Sequence, residues 1–402
     1  MGAPAGAVAM RGGLSGSYYN YDDDVAAQDL SVTRFKLRLD VSDFMAYDSA
    51  FHLRTITRSV SGHDYNEKLP GQRIDQAEFE MKGLLGFADL HLGRMSVIDL
   101  PATRVDGVNM DFHLGQTFGL GLFGGQAPDP LTDQINGSYT TYGGYLFNRS
   151  QTGRLSLGYV TTAKGSADST YVSGMYYSSS SSAFNWLADL RFDQDIKKSQ
   201  WRLTEGMLSA TYRPNRQVRI NAAYNEYRAI RLFQSMQYDA NYDLQRTLRL
   251  SADVYILTKS MLYLRLDGRS RDIDSGSASL VTGGFRRDNM FDFLFFDASY
   301  SSINYFKVSS TRANLRLGGD FKHDFQAEVE VTSINGAKDG QVNGMSQLVY
   351  GATVDWRIEG FFVSAMIQIS NEKFLDVNAV YLNKAADHFA STSYYLSAGY
   401  NF

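Results

Sequence analysis

A closed antiparallel β-barrel that crosses a membrane is the fold class this sequence predicts. Three observations predict it. Apolar and polar residues alternate one by one over stretches of about nine to twelve residues. No apolar run approaches the ~20 residues that a membrane helix requires. The connections between stretches alternate between very short and longer ones.

The alternation is clearest in Thr33–Val41, where Thr33, Phe35, Leu37, Leu39 and Val41 point one way and Arg34, Lys36, Arg38 and Asp40 the other. Successive side chains of a strand leave on opposite faces, so one face is oily and the other charged. The same pattern sets Val108, Met110, Phe112 and Leu114 against Asn109, Asp111 and His113. It sets Phe184, Trp186, Ala188, Leu190 and Phe192 against Asn185, Asp189, Arg191 and Asp193. Further along, Leu248–Ile256, Leu262–Arg269, Arg312–Leu317 and Phe361–Ile369 repeat it. A soluble sandwich also alternates, but its strands run about five to six residues. The stretches here have the length that spans a bilayer when tilted.

Short polar turns are expected at Gly115–Thr117, Pro214–Gln217, Thr258–Ser260, His323–Asp324 and Glu359–Gly360. Longer connections are expected at His63–Gly71, Gln126–Gly137, Gly165–Ser169, Leu232–Asp243, Ala337–Gly344 and Asp376–Asp387. Short turns at one mouth and longer loops at the other are the pattern of a transmembrane barrel. The spacing predicts about 18–22 strands, an even number, in one domain over residues 14–402 after a flexible segment over residues 1–13. That segment is Gly/Ala-rich and lacks the charged start and apolar run of a signal peptide, so the export signal is expected to have been removed. A first strand at about Leu14 leaves no room for a plug domain.

Composition agrees with a barrel. The 402 residues include 26 Tyr, 25 Phe, 6 Pro and no Cys, and the mean hydropathy of −0.29 is that of a soluble protein. A barrel reconciles these values, because only every second residue meets lipid. A net charge of −4 argues against a nucleic-acid surface, which would be basic. Catalysis needs a nucleophile, a base and an orienting group within reach. The six His (His52, His63, His91, His113, His323 and His388) sit in no motif that supplies them. His91 and His113, near Asp89 and Asp111, are read as chance neighbours on lumenal strands. No phosphate loop, zinc motif or EF-hand loop is present, so no enzyme activity, metal or cofactor is expected.

Tyr and Trp favour a membrane–water interface. Tyr139, Tyr142, Tyr145, Tyr176, Tyr177, Trp186, Trp201, Tyr394, Tyr395 and Tyr400 are expected to form aromatic rims. At the C-terminus, Tyr394, Leu396, Ala398, Tyr400 and Phe402 fall on one face and end on Phe. This strand resembles the terminal strand of bacterial outer-membrane β-barrel proteins of the porin-like kind. In that family it is read by the barrel-assembly machinery. The resemblance implies an outer-membrane location, lipid around the outer face, and a channel giving solutes or ions passage through a polar lumen.

On the inner wall, Arg34, Lys36, Arg38, His52, Arg54 and Arg58 are expected to form a basic patch. Glu78, Glu80, Glu328 and Glu330 are expected to form acidic walls opposed to it, with Arg249, Arg265, Arg312 and Arg316 also lining the lumen. Such opposition would set up a transverse field that selects solutes by charge. Gly119, Gly121, Gly143 and Gly144 are read as aids to barrel curvature, and Gln126–Gly137 as the best candidate for a constriction loop. A wide, short-looped barrel is also similar in architecture to the sleeve of porin–cytochrome conduits. In that alternative the lumen would house partner multihaem cytochromes in a trans-outer-membrane electron conduit. The haem would belong to the partner, since this chain has no Cys to hold it.

Overall fold

The computed structural model describes residues 8–23, 29–45, 48–62, 71–100, 103–129, 134, 137–165, 167–179, 183–195, 200–228, 244–272, 276–305, 308–338, 344–374 and 388–402. The described residues form twenty-two strands. They are β1 (Ala9–Asp23), β2 (Leu30–Ser42), β3 (Ser49–Gly62), β4 (Gln72–Leu84), β5 (Ala88–Ser96), β6 (Arg104–His113), β7 (Phe118–Gln126) and β8 (Thr140–Arg149). There follow β9 (Gly153–Lys164), β10 (Ala167–Ser178), β11 (Phe184–Asp195), β12 (Gln200–Tyr212), β13 (Val218–Arg228), β14 (Leu244–Leu257) and β15 (Ser260–Arg271). The last are β16 (Ser277–Met290), β17 (Leu294–Tyr305), β18 (Val308–Phe321), β19 (Phe325–Lys338), β20 (Gly344–Ile358), β21 (Phe361–Phe374) and β22 (His388–Asn401).

Each strand pairs antiparallel with its neighbours in sequence, and β1 also pairs with β22, so the sheet closes on itself. At the seam Gly13 lies opposite Asn401 and Tyr18 opposite Leu396. Phe402 donates its backbone N–H to Gly12 O and accepts one from Gly12 N, both at 2.9 Å. β1 begins at Ala9, so residues 9–13 belong to the barrel and not to the leading segment. The pairing with β2, which starts at Ala9 opposite Ser42, secures them there.

Direct cross-strand partners share a face, so the register carries the two faces round the wall, with shifts in the β3–β4, β4–β5, β11–β12, β14–β15 and β16–β17 pairings. Leu14 opposes Leu37, Leu39 opposes Leu53, Phe51 opposes Phe79, and Leu92 opposes Val108. Leu146 opposes Leu157, Leu250 opposes Leu266, and Ala365 opposes Leu396. These outward side chains are largely exposed, Leu14, Leu157 and Leu396 among them. An unbroken apolar belt on a closed barrel is a surface for lipid. The alternate residues face the inside and are mostly polar.

The two mouths differ. At the end that holds the chain termini, the connections are two to six residues long by strand bounds. His323, Asp324, Glu359 and Gly360 adopt left-handed backbone there, the geometry that matches a tight turn to strand twist. At the other end they reach 15 residues, between β13 and β14. All the short turns expected from sequence lie at the first mouth; of the connections expected to be longer, Gly165–Ser169 is a two-residue turn between β9 and β10, with Ser169 inside β10. Leu232–Asp243 and Asp376–Asp387 lie outside the described residues, as does most of His63–Gly71.

Candidate functional site

The register sets the residues of the expected basic patch beside one another. On the inner faces of β2 and β3, Arg34 lies opposite Arg58, Lys36 opposite Ile56, Arg38 opposite Arg54, and Asp40 opposite His52. Asp40 accepts a hydrogen bond from Arg38 Nε at 2.7 Å and lies 2.7 Å from His52 Nδ1. Among the described residues no carboxylate lies within ion-pair distance of Arg34, Lys36, Arg54 or Arg58.

The acidic residues do not oppose this patch across the lumen. Glu78 and Glu80 are on β4, directly beside β3, with Glu78 opposite His52. They are drawn into local pairs: Glu78 Oε1 lies 2.7 Å from His91 Nδ1, and Gln76 donates to Glu78 Oε2 at 2.5 Å. Glu80 sits between His52, at 3.5 Å, and Lys82, at 3.4 Å. His113 Nε2 lies 2.8 Å from Asp89. Among the described residues no group of three or more His, Asp or Glu is placed to hold a metal ion.

Glu328 and Glu330 lie on β19 and are matched by arginines of β18. Arg316 makes a two-pronged contact with Glu328 at 2.8 and 2.7 Å, and Arg312 reaches Glu330 at 3.5 Å. Arg265 donates to Asp253 at 2.5 Å and Arg249 to Asp267 at 2.9 Å. The arginines of β14, β15 and β18 thus form a neutralised ladder. Proximity along the wall lets each find a partner on the next strand, and this removes the expected transverse opposition. The basic face of β2 and β3 is not neutralised in this way.

The sequence reading missed an inward segment. The described part of the connection between β5 and β6, residues 97–100 and 103, turns into the barrel and covers part of its inner wall. Val97 and Leu100 join Met95, Val105, Phe123, Tyr145, Phe147, Val160 and Tyr171 in a buried apolar cluster. Every wall member of that cluster has the inward parity: Phe123 opposes Gly143, Gly121 opposes Tyr145, and Val160 opposes Tyr171. Asp99, whose side chain is fully buried, accepts from Arg149 Nε at 3.0 Å and Arg154 Nε at 2.6 Å. Arg149 also donates to Asp111 at 2.7 Å and stacks on the Phe147 ring at 4.0 Å. Tyr145 donates to the same Asp111, and the hydroxyls of Thr103 and Tyr171 meet. The signal available in the sequence was Val97-Ile98-Asp99-Leu100, an apolar run where a polar turn is expected.

This segment corrects three expectations. Tyr145 and Tyr139 are buried and not in a rim, and Tyr395 has the inward parity opposite Tyr19. Tyr142 and Trp201 are exposed, and Tyr176 packs on Trp186 with ring centroids 4.5 Å apart. Gly119 and Gly121 lie under the rings of Phe147 and Tyr145, and Gly158 lies under Leu100, where any side chain would collide. These glycines make room for packed side chains; Gly143 does so for Phe123. The described part of Gln126–Gly137 holds a backbone bond from Ala127 N to Tyr139 O at 2.9 Å, and residues 130–133 and 135–136 of it lie outside the described residues; the buried Val97, Asp99 and Leu100 show that the connection between β5 and β6 also turns inward.

Two cavities flank the segment. One of 470 Å³ is lined by Arg54, Arg73, Gln76, Glu78, Ile98 and Arg104, among others. The other, of 270 Å³, lies between His91, Asp111, Tyr145, Arg149 and Ile98, among others. Both open on polar groups, which is what a solvent-filled inner wall offers.

The chain is similar over 98% of its length to 99% of the translocation pore of the P pilus usher PapC, with a TM-score of 0.51 at 10% identity. By fold, this is a closed antiparallel β-barrel like that pore. It also aligns with Pseudomonas aeruginosa OpdQ, at a TM-score of 0.49 and 8% identity, covering 98% of this chain and 97% of that one. The OccK11 (OpdR) structure of the same organism aligns at 0.45 and 13% identity, covering 98% and 96%. No family model matches the chain, and no curated protein does.

Proposed function

We propose that this barrel is a channel of the bacterial outer membrane that gives ions and small hydrophilic solutes passage through its lumen. The observation that carries this reading is the closed register of the 22 described strands, oily outside and mostly polar inside. With strands about 4.8 Å apart and tilted by about 40°, a circular barrel of this order is about 40 Å across between backbones. The inward segment occupies one side of that space. The outer belt meets outer-membrane lipid, and the β22 face of Tyr394, Leu396, Ala398, Tyr400 and Phe402 is the feature the barrel-assembly machinery engages. The porin-like likeness supports a channel role over an enzymatic one.

Planar-bilayer recording of the purified barrel tests the proposal. Stable single-channel steps in a simple salt support it. A protein that inserts but passes no current, and copurifies with stoichiometric partner chains or haem absorbance, overturns it in favour of a filled sleeve.

A further inference from the structure

The inner face of β2 and β3 is an unusual place to leave charge. Arg34 and Arg58 stand directly opposite each other, as do Arg38 and Arg54, with Lys36 between the two pairs. Side chains two apart on a strand are about 6.8 Å apart, and direct partners about 5 Å. The five cations therefore fill a grid of about 14 by 5 Å. Like charges placed opposite each other destabilise a sheet. These separations fall within the Debye length of about 8 Å at physiological salt, so solvent ions do not erase the repulsion. Arg38 is relieved by Asp40 at 2.7 Å; among the described residues Arg34, Lys36, Arg54 and Arg58 have no acidic partner. By contrast, Arg249, Arg265 and Arg316 on the same inner wall each hold one.

Arg54 also borders the 470 Å³ cavity, which Arg73 and Arg104 enter from β4 and β6. Arg73 is held by Asp75, and Arg104 by the carbonyl of Asp75 at 3.2 Å. Their positions are fixed while Arg54 is left to a ligand. That volume suits a small solute. A singly charged ion offsets one cation of a pair; an anion with two or more charges bridges both.

We propose that this grid and its adjoining cavity form a binding subsite for small oxyanions carrying two or more negative charges. The inference rests on the lumen being open to solutes, as the channel reading has it.

The test is acylation of Lys36 by an amine-reactive ester in the purified full-length barrel, read by peptide mass spectrometry. Lys82, paired with Glu80 at 3.4 Å, is the internal control. Pyrophosphate, sulfate and chloride are compared at one ionic strength. With pyrophosphate at about ten times its dissociation constant, the free site falls to about a tenth, and Lys36 labelling slows about tenfold. Sulfate protects less and chloride not at all, and Lys82 labelling is unchanged. Pairing Arg34→Gln with Arg58→Gln abolishes protection, while Arg312→Gln keeps it. Equal slowing by chloride, equal protection of Lys82, or no slowing overturns the proposal. If the double variant does not assemble, the Lys36–Lys82 comparison in the unaltered protein decides alone. Protection of Lys36 in a barrel that carries no current would refute the channel and leave the subsite standing. Current without protection would do the reverse.

Discussion

Placing arginine at Leu264 is the sharpest test of which face meets lipid. Leu264 is the middle of the outward trio Leu262, Leu264 and Leu266 on β15, and its direct partners are Ala252 and Gly283. Diagonal neighbours on that face are Leu250, Val254, Val281 and Phe285, so the new guanidinium meets no carboxylate. The nearer strand end, Ser260, is four residues away. At about 3.4 Å per residue and a tilt of about 40°, that is about 10 Å along the membrane normal, more than the side chain can reach by snorkelling. The expected cost is about 2–4 kcal/mol, or about 30-fold to nearly 1000-fold in the folded-to-unfolded ratio. Arg249→Gln, on the inner face of β14, is the comparison. Its pair with Asp267 is solvent-exposed, and Asp267 keeps Arg269 at 3.1 Å, so the expected cost is below ~1 kcal/mol. Urea unfolding of the barrel in lipid vesicles, followed by tryptophan fluorescence and gel mobility, measures both. Equal effects of the two substitutions, or a cost below ~1 kcal/mol for Leu264→Arg, would show that the facing has been assigned wrongly.

Three further outcomes are expected. Asp99→Ala removes the anion that holds Arg149 and Arg154, and costs about 1–3 kcal/mol after allowance for the partial exposure of both arginines. Amide exchange at Leu100 and Thr103 should accelerate, and unchanged exchange would show that the clasp does not hold the segment. Gly158→Val drives a side chain into the space of Leu100, at about 1–3 kcal/mol; adding Leu100→Ala should recover part of the loss, and a purely additive double variant would argue against the socket. Deleting Phe402 removes both backbone bonds to Gly12 and should slow assembly into membranes; unaltered assembly kinetics would mean that the seam needs no terminal aromatic.

The fold was legible because period two is a one-dimensional signal. Thr33–Val41, Leu248–Ile256 and Phe361–Ile369 need no tertiary knowledge to assign their faces, and the register carries those faces round the wall. Arg34, Arg58 and Arg54 were found for the same reason. What the alternation does not encode is who pairs with whom across the lumen. Glu328 and Glu330 read as an acidic wall in the sequence, but Arg316 and Arg312 on the preceding strand take them up. Tyr145 and Tyr139 read as rim aromatics because parity alone cannot tell a rim from a covered inner wall. The segment at Val97–Leu100 was hidden because connections carry no periodicity. Its inward turn is fixed by distant partners, Arg149, Arg154 and Gly158, that lie three and four strands away in the wall.

The seam between β1 and β22 has a consequence for how the molecule is born. Every other pairing joins strands consecutive along the polypeptide, so twenty-one hairpin interfaces need only local encounters. The one remaining interface joins Gly13 to Asn401, across almost the entire chain. Until it forms, the product is a curled ribbon with two bare margins, each offering unsatisfied amides and carbonyls to any passing strand. In hydrocarbon such margins are prohibitively costly. Cylinder closure is therefore the committing event of folding.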